Sequence, residues 1–414
     1  MTTETRVVRR TRVPLLALFT GNAISLIGSQ LTAIAVPWFV LVTTGSAGKT
    51  GLTGAAAILP MILAGTLGGS FVDRLGFKRA SVLADLAAGL AMGLIPLLYH
   101  TVGLAFWQLL ALVFLVGLLD APGGTARQSL IPDLAALGGA SLERVNSGFA
   151  SIGRGAQLVG APLAGVLIAI FGASNVLWLD AGSFLVSALL IAAAVPGAAT
   201  AARLEDEASL GYLEGLRQAV GFIRRDSLFA SVLIFVAVTN FLGSPLFAVI
   251  LPVYAERVLG SSVALGIIFG GFGAGALAGA LLYGALAHRL PRRPTLLAGF
   301  ALNALALLAL AGTPGTLGSA LLMALAGLAA GPLNPILMTA AHERIPEQMR
   351  GRIFGLMMAV SWVAMPAGIL AGGYLVQLAG AAPVIFAIGL AQLLITAGMV
   401  FNPALRRLEP ASAP

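Results

Sequence analysis

The sequence predicts an all-α polytopic membrane protein, with twelve transmembrane helices in two pseudo-symmetric six-helix halves. Three observations carry this: an apolar excess, the even spacing of apolar runs, and the confinement of arginine to one side. Of 414 residues, 58% are apolar and only 10% are charged, and the mean hydropathy is +0.98. Soluble domains carry about 25% charged residues, so water is not the main solvent of this chain. At ~20 mostly apolar residues per crossing, the composition supplies roughly ten to thirteen spans.

Apolar runs bounded by turn and charge signals fall at about 14–42, 50–72, 79–99, 103–126, 145–171, 174–196, 228–252, 262–287, 294–312, 316–340, 352–378 and 382–402. Arg6, Arg9, Arg10 and Arg12 precede a run too long for a signal-peptide core and without a clear cleavage site, so the first helix is expected to remain a span. Alternating the loops puts all but Lys49, Arg257 and Arg154 of the 24 Lys and Arg residues on the side of the N-terminus. By the positive-inside rule both termini are then cytoplasmic. The 22 Arg against 2 Lys, with abundant Ala and Gly, resemble the composition of a high-GC bacterial genome, so a bacterial inner (cytoplasmic) membrane is the expected location.

The longest hydrophilic stretch separates six spans from six, so the expected organisation is a half over 1–196, a cytoplasmic linker over 197–227 and a half over 228–414. Within the linker, Leu210, Leu213, Leu216, Val220 and Ile223 recur at helical spacing, which predicts a short amphipathic helix on the membrane surface.

Several function classes are excluded. There is no cysteine, and His100, His288 and His342 fall in loops or at helix ends, so no metal site, no cofactor and no intramembrane enzyme centre is expected. The net charge of +8 is accounted for by the one-sided arginines and does not require a nucleic-acid partner. The string Thr43-Thr-Gly-Ser-Ala-Gly48-Lys49-Thr50 approaches a phosphate-binding loop, but Thr43 replaces the first glycine and no strand precedes it. Energy for any transport must then come from an ion gradient.

Gly69-Ser-Phe-Val-Asp73-Arg74-Leu-Gly76-Phe-Lys78-Arg79, between spans two and three, has a counterpart between spans eight and nine at Gly284-Ala-Leu-Ala-His288-Arg289-Leu-Pro-Arg292-Arg293. Ile131-Pro132-Asp133, after span four, returns after span ten as Ile345-Pro346-Glu347. Two matches at nearly one offset indicate duplicated halves, the plan in which a substrate site lies at the interface between repeats.

The first loop, G-x-x-x-D-R-x-G-x-K-R, resembles the signature loop of the major facilitator superfamily, and the resemblance covers essentially the whole chain. The strings G-G-T-A-R-Q-S-L-I-P-D at 123–133, S-L-E-R-V-N-S-G at 141–148 and I-P-E-Q-M-R-G-R at 345–352 resemble the Tap-like and macrolide-efflux branch of the drug/proton antiporters. That resemblance implies a proton-coupled exporter of amphipathic small molecules working by alternating access, as a monomer with protons and the bilayer as its partners. A siderophore or lysolipid exporter or flippase of the same fold is the alternative. Gly160, Pro162 and Gly165 resemble the fifth-span antiporter motif, with Ala161 inserted and Ala164 in place of a glycine.

In the signature loop, Gly69 and Gly76 permit close approach and a tight turn. Asp73 beside Arg74, Lys78 and Arg79 could accept from free amides at a helix N-terminus, for which the resemblance nominates the eleventh span near Arg352. The set then reads either as a conformational latch or as a topology anchor. Small residues four apart, at Gly65 and Gly69, at Gly271, Gly275 and Gly279, and at Gly368 and Gly372, suit close helix packing, either sliding between halves or static within one. Ionisable groups in hydrocarbon are expensive and functional by default, which makes Asp85, Asp120, Arg154 and Asp180 the proton-coupling candidates, with Arg154 deepest and expected to pair with one of the aspartates, Asp120 being favoured because the resemblance implies that fourth spans line the cavity. Asn22, Ser25, Gln30, Gln157, Asn240 and Asn334 are the neutral polar candidates for a substrate cavity.

Overall fold

The structure, a computed structural model, describes residues 11–196, 212–312, 314–346 and 349–409. Its order is α1 (Val13–Thr44), α2 (Ala47–Leu75), α3 (Phe77–Thr101), α4 (Phe106–Ser129), the short α5 (Ile131–Gly138), α6 (Leu142–Phe171), α7 (Ala173–Ala194) and the linker helix α8 (Tyr212–Arg225). Then come α9 (Ser227–Pro245), a one-turn α10 (Leu251–Tyr254), α11 (Ser262–Leu286), α12 (Arg292–Leu310), α13 (Gly315–Ala330), α14 (Leu333–Arg344), α15 (Arg350–Ala379) and α16 (Ala381–Val400). A helix satisfies its own backbone hydrogen bonds in hydrocarbon, and the described residues contain no strand.

Among the described residues, eleven helices are long and apolar enough to cross a membrane, and α2 is apolar over Ala47–Leu63. Three boundaries differ from expectation. The fourth span continues to Ser129, so Arg127 is a helical residue rather than a loop residue. The seventh continues to Leu259 through π turns at Leu246–Ile250 and Ala255–Leu259; Pro245 and Pro252 lack the N–H that a regular ladder needs there. The tenth is divided between α13 and α14 at Gly331 and Pro332. The repeat survives in the helix starts, because α3 begins at Phe77 and α12 at Arg292, the same offset that separates the two loop motifs.

The chain forms two compact units, Met1–Ala35 with Ala56–Leu204, and Val36–Ala55 with Glu205–Pro414. The expected boundary near 196 therefore does not account for residues 36–55, which group with the second unit. In the first unit, Leu18, Leu130, Ile131, Leu134 and Ile191 form a core where α1, α5 and α7 meet, Leu130 being the residue that joins α4 to α5. In the second, Leu228, Phe235, Leu296, Phe300, Ile336 and Leu405 form another. Ile223 of α8 is buried with Phe229, Ala341, Ile345 and Ile353, so the amphipathic helix expected in the linker is docked on the second unit. Leu210 of its apolar stripe, and the linker up to residue 211, lie outside the described residues.

The small-residue faces of α11 and α15 pack within the second unit. Gly271, Gly275 and Gly279 of α11 lie against the carbonyls of Ala320, Ala324 and Leu328 on α13, and Gly368 and Gly372 of α15 lie against Phe241 and Pro245 of α9. A Cβ at any of these positions would collide with its neighbour, so glycine is what lets the backbones meet. The side chains around Gly65 and Gly69 lie outside the described residues.

Candidate functional site

The first unit buries a charge network on α3, α4 and α7. Arg127 Nη1 donates to Asp85 Oδ1 at 2.5 Å, from side chains 3% and 0% exposed. Arg127 Nη2 reaches Asp120 Oδ1 at 3.4 Å, and Asp120 is 36% exposed. Ser187 Oγ of α7 donates to the second oxygen of Asp85 at 2.7 Å. Asp120 and Arg127 stand two helical turns apart on α4 and so share a face. Between them Gly123 meets Ala84 of α3, where a Cβ would lie 3.0 Å from the Ala84 Cβ and 3.6 Å from Asp85 Oδ1. Its missing side chain brings α3 close enough for the ion pair.

Asp180, on α7, is held differently. It is buried, and its oxygens accept from Thr32 Oγ1 of α1 at 2.5 Å and from Ser183 Oγ at 3.1 Å. Asp180, Ser183 and Ser187 recur at i, i+3 and i+7, so one face of α7 carries all three. The facing residues of α1 include Gly21 and Gly28, and a Cβ on Gly28 would run into Ser183 Oγ and Asp180 Oδ1.

Arg154 does not fill the role expected of it. It is exposed on α6 and makes no ion pair with a described residue, and the buried partner of Asp85 is Arg127. The physical reason is the extra turn of α4, which carries Arg127 into the helix packing. The spacing of Asp120 and Arg127, two turns of one helix, was the available signal for it. For Ser183 and Ser187 only the periodicity of α7 hinted at a polar face, and for Thr32 of α1 the sequence held no signal.

Of the residues expected to form a latch, Gly76 caps α3 with φ 76°, Lys78 is half-buried and Arg79 is exposed. The side chains of Gly69, Asp73 and Arg74 lie outside the described residues. Arg352, nominated near the latch, is exposed and donates to Gln218 Oε1 of α8 at 3.3 Å. Of the cavity candidates, Asn22 and Ser25 are buried in α1, and Asn22 Nδ2 has no hydrogen-bond partner among the described residues. Gln30 packs on Gly160, whose Cβ would stand 2.5 Å from the Gln30 Cβ. Pro162 and Gly165 continue the same unbroken helix α6. Asn240 Nδ2 donates to the Ser361 carbonyl at 3.0 Å, tying α9 to α15, while Gln157 and Asn334 are exposed. No group of three or more His, Cys, Asp or Glu residues suited to a metal occurs among the described residues.

Eleven helices among the described residues, long and apolar enough to cross a membrane and with carboxylates buried within them, define a polytopic helical membrane protein. Residues 12–414 match the family described as transmembrane secretion effectors, and the chain belongs to that branch of the major facilitator superfamily. It is 31% identical over 410 residues to the multidrug efflux pump Tap of Mycolicibacterium fortuitum, covering 97% of this chain and 99% of that one. The Tap pump of Mycobacterium tuberculosis is 31% identical over 403 residues, covering 96% and 95%. Among solved structures, the nucleoside transporter NupG superposes with a TM-score of 0.75 at 13% identity, over 94% of this chain and 99% of that one. A D-xylose–proton symporter gives 0.69 at 16% identity, over 96% and 99%. These two likenesses concern the fold alone.

Proposed function

We propose that this chain is a proton-coupled secondary active exporter of amphipathic small molecules, a multidrug efflux pump conferring antibiotic resistance. It works by alternating access as a monomer in the bacterial cytoplasmic membrane, with both termini inside. Near full-length similarity to two pumps named for multidrug efflux supports the substrate class. The observation that carries coupling is the burial of Asp85 and Asp180 within spanning helices of the first unit. A charge there costs several kcal/mol, so such groups persist where an ion must be handled. On the spanning helices of the second unit, the described carboxylates Glu256 and Glu343 stand at helix ends, which favours the first unit for coupling.

Arg154 and Gln157, exposed and one turn apart on α6, are assigned to the substrate path, because a cation in mid-span needs water or ligand beside it. Asp73 with Arg74, Gly76, Lys78 and Arg79 is assigned to the latch that stabilises one state of the cycle. The test is ethidium transport in a host lacking its own efflux pumps. Expression should lower ethidium accumulation, and a protonophore should abolish the difference. Accumulation unaffected by expression, with lipid flipping in proteoliposomes instead, would overturn the drug-export reading.

A further inference from the structure

We propose that Asp180 is the proton-binding carboxyl of this transporter, while Asp85 is the fixed counter-ion of Arg127. The assignment rests on the proton-coupled reading above and names the group that carries its proton. It follows from what each carboxyl's neighbours can do when a proton arrives. Arg127 has only donors, as does every arginine. A proton on Asp85 would leave a buried guanidinium with Asp120 alone, at 3.4 Å, as its compensating charge. Removing one partner of such a pair is strongly unfavourable.

Asp180 is surrounded by hydroxyls, which donate or accept as needed. Each already has a second acceptor in place. Thr32 Oγ1 reaches Met92 Sδ of α3 at 4.0 Å as well as Asp180, and Ser183 Oγ donates to the Asp180 backbone carbonyl at 2.8 Å as well as to its carboxylate. When the carboxyl is ionised, both hydroxyls serve it. When it is protonated, they turn to these alternatives and can accept its proton. Both charge states are satisfied without rebuilding the site.

The charges around Asp180 are few. Helix α1 has no ionisable side chain and α7 has no other. On α3, Lys78, Arg79 and His100 stand near the helix ends and Asp85 is engaged by Arg127 and Ser187. On α4, Asp120 and Arg127 are engaged with one another. On α6, Glu143, Arg144 and Arg154 are exposed. No described cation reaches Asp180, so charge balance there falls to the proton itself.

The polar face continues from Asp180 through Ser183 to Ser187, about 10 Å along the helix at ~1.5 Å per residue. Ser187 then touches Asp85, and so the Arg127 network. Proton occupancy at one end is thereby adjacent to the ion pair whose rearrangement could accompany a change of state.

Infrared difference spectroscopy on the purified full chain, between acid and alkaline buffer with choline as the cation, reads proton binding directly. The wild type should show the carbonyl-stretch band of a buried carboxylic acid; Asp180→Asn should lose it, and Asp180→Glu, the variant that keeps a titrating group, should displace it. Thr32→Val should shift its pH midpoint. The band persisting unchanged in Asp180→Asn, or a response that requires sodium, would overturn the assignment. In everted vesicles, Asp180→Asn should lose ethidium transport driven by a pH gradient and keep downhill ethidium exchange. Wild-type ethidium transport indifferent to the gradient would overturn the proton-coupled reading, while the infrared result would still decide Asp180.

Discussion

Arg127 of α4 and Asp85 of α3 form a 2.5 Å ion pair from side chains that are almost wholly buried. Within a membrane such a pair is stable only as a pair, since either charge alone lacks both water and a full complement of partners. Asp85→Asn or Arg127→Gln should each destabilise the folded protein by about 3 kcal/mol. The double variant should recover a large part of that loss. Thermal unfolding in detergent measures it, and strict additivity of the two losses would show that the pair is not coupled.

Asp120 shares Arg127 but is more than a third exposed and stands at 3.4 Å. Its removal should therefore cost no more than about 1 kcal/mol of stability. Thermal unfolding of Asp120→Asn in detergent measures this, and a loss as large as that of Asp85→Asn would show that Asp120 is a full partner of Arg127.

Gly275 sits against the Ala324 carbonyl of α13, whereas Gly284 near the end of α11 has nothing within 4 Å of where a Cβ would stand. Gly275→Leu should abolish a monodisperse peak in fluorescence-detected gel filtration, and Gly284→Leu should leave it intact. Equal behaviour of the two would contradict static packing of α11 on α13.

Gln377 of α15 supplies the start of α2 with a cap, its Oε1 accepting from Ala47 N at 2.8 Å and Gly48 N at 3.4 Å. Arg257 Nη2 donates to the neighbouring Gly45 carbonyl at 2.7 Å. Loss of a helix cap costs about 1 kcal/mol. Gln377→Ala should lower the unfolding temperature modestly, and Gln377→Asn, with its shorter reach, should not restore it. Hydrogen exchange at the first turn of α2 should rise in both.

The latch assignment makes its own demand. Asp73→Asn should reduce ethidium export severalfold while leaving the amount of protein in the membrane near normal. Asp73→Glu should retain part of the activity, since it keeps the carboxylate. Wild-type export by Asp73→Asn would reduce the loop to a topology anchor.

The helical membrane class was legible in the sequence, and so was a helix ending at Arg225. Each depends on the local alternation of apolar runs with charge and on the period of one chain segment, which a linear reading measures directly. The buried aspartates were legible as expensive groups within apolar runs. Their partners were not. Arg127 entered the protein interior because α4 runs one turn past its apolar stretch, and Arg154, the deeper residue by counting, is exposed on α6. Whether an ionisable side chain in mid-span meets a counter-ion, a pair of hydroxyls or an open surface is set by which helix faces it. That facing follows from where glycines such as Gly28 and Gly123 let backbones approach. Tertiary packing alone decided that Asp85 holds an arginine and Asp180 holds two hydroxyls, because the choice depends on contacts between residues as distant in sequence as Thr32 and Asp180.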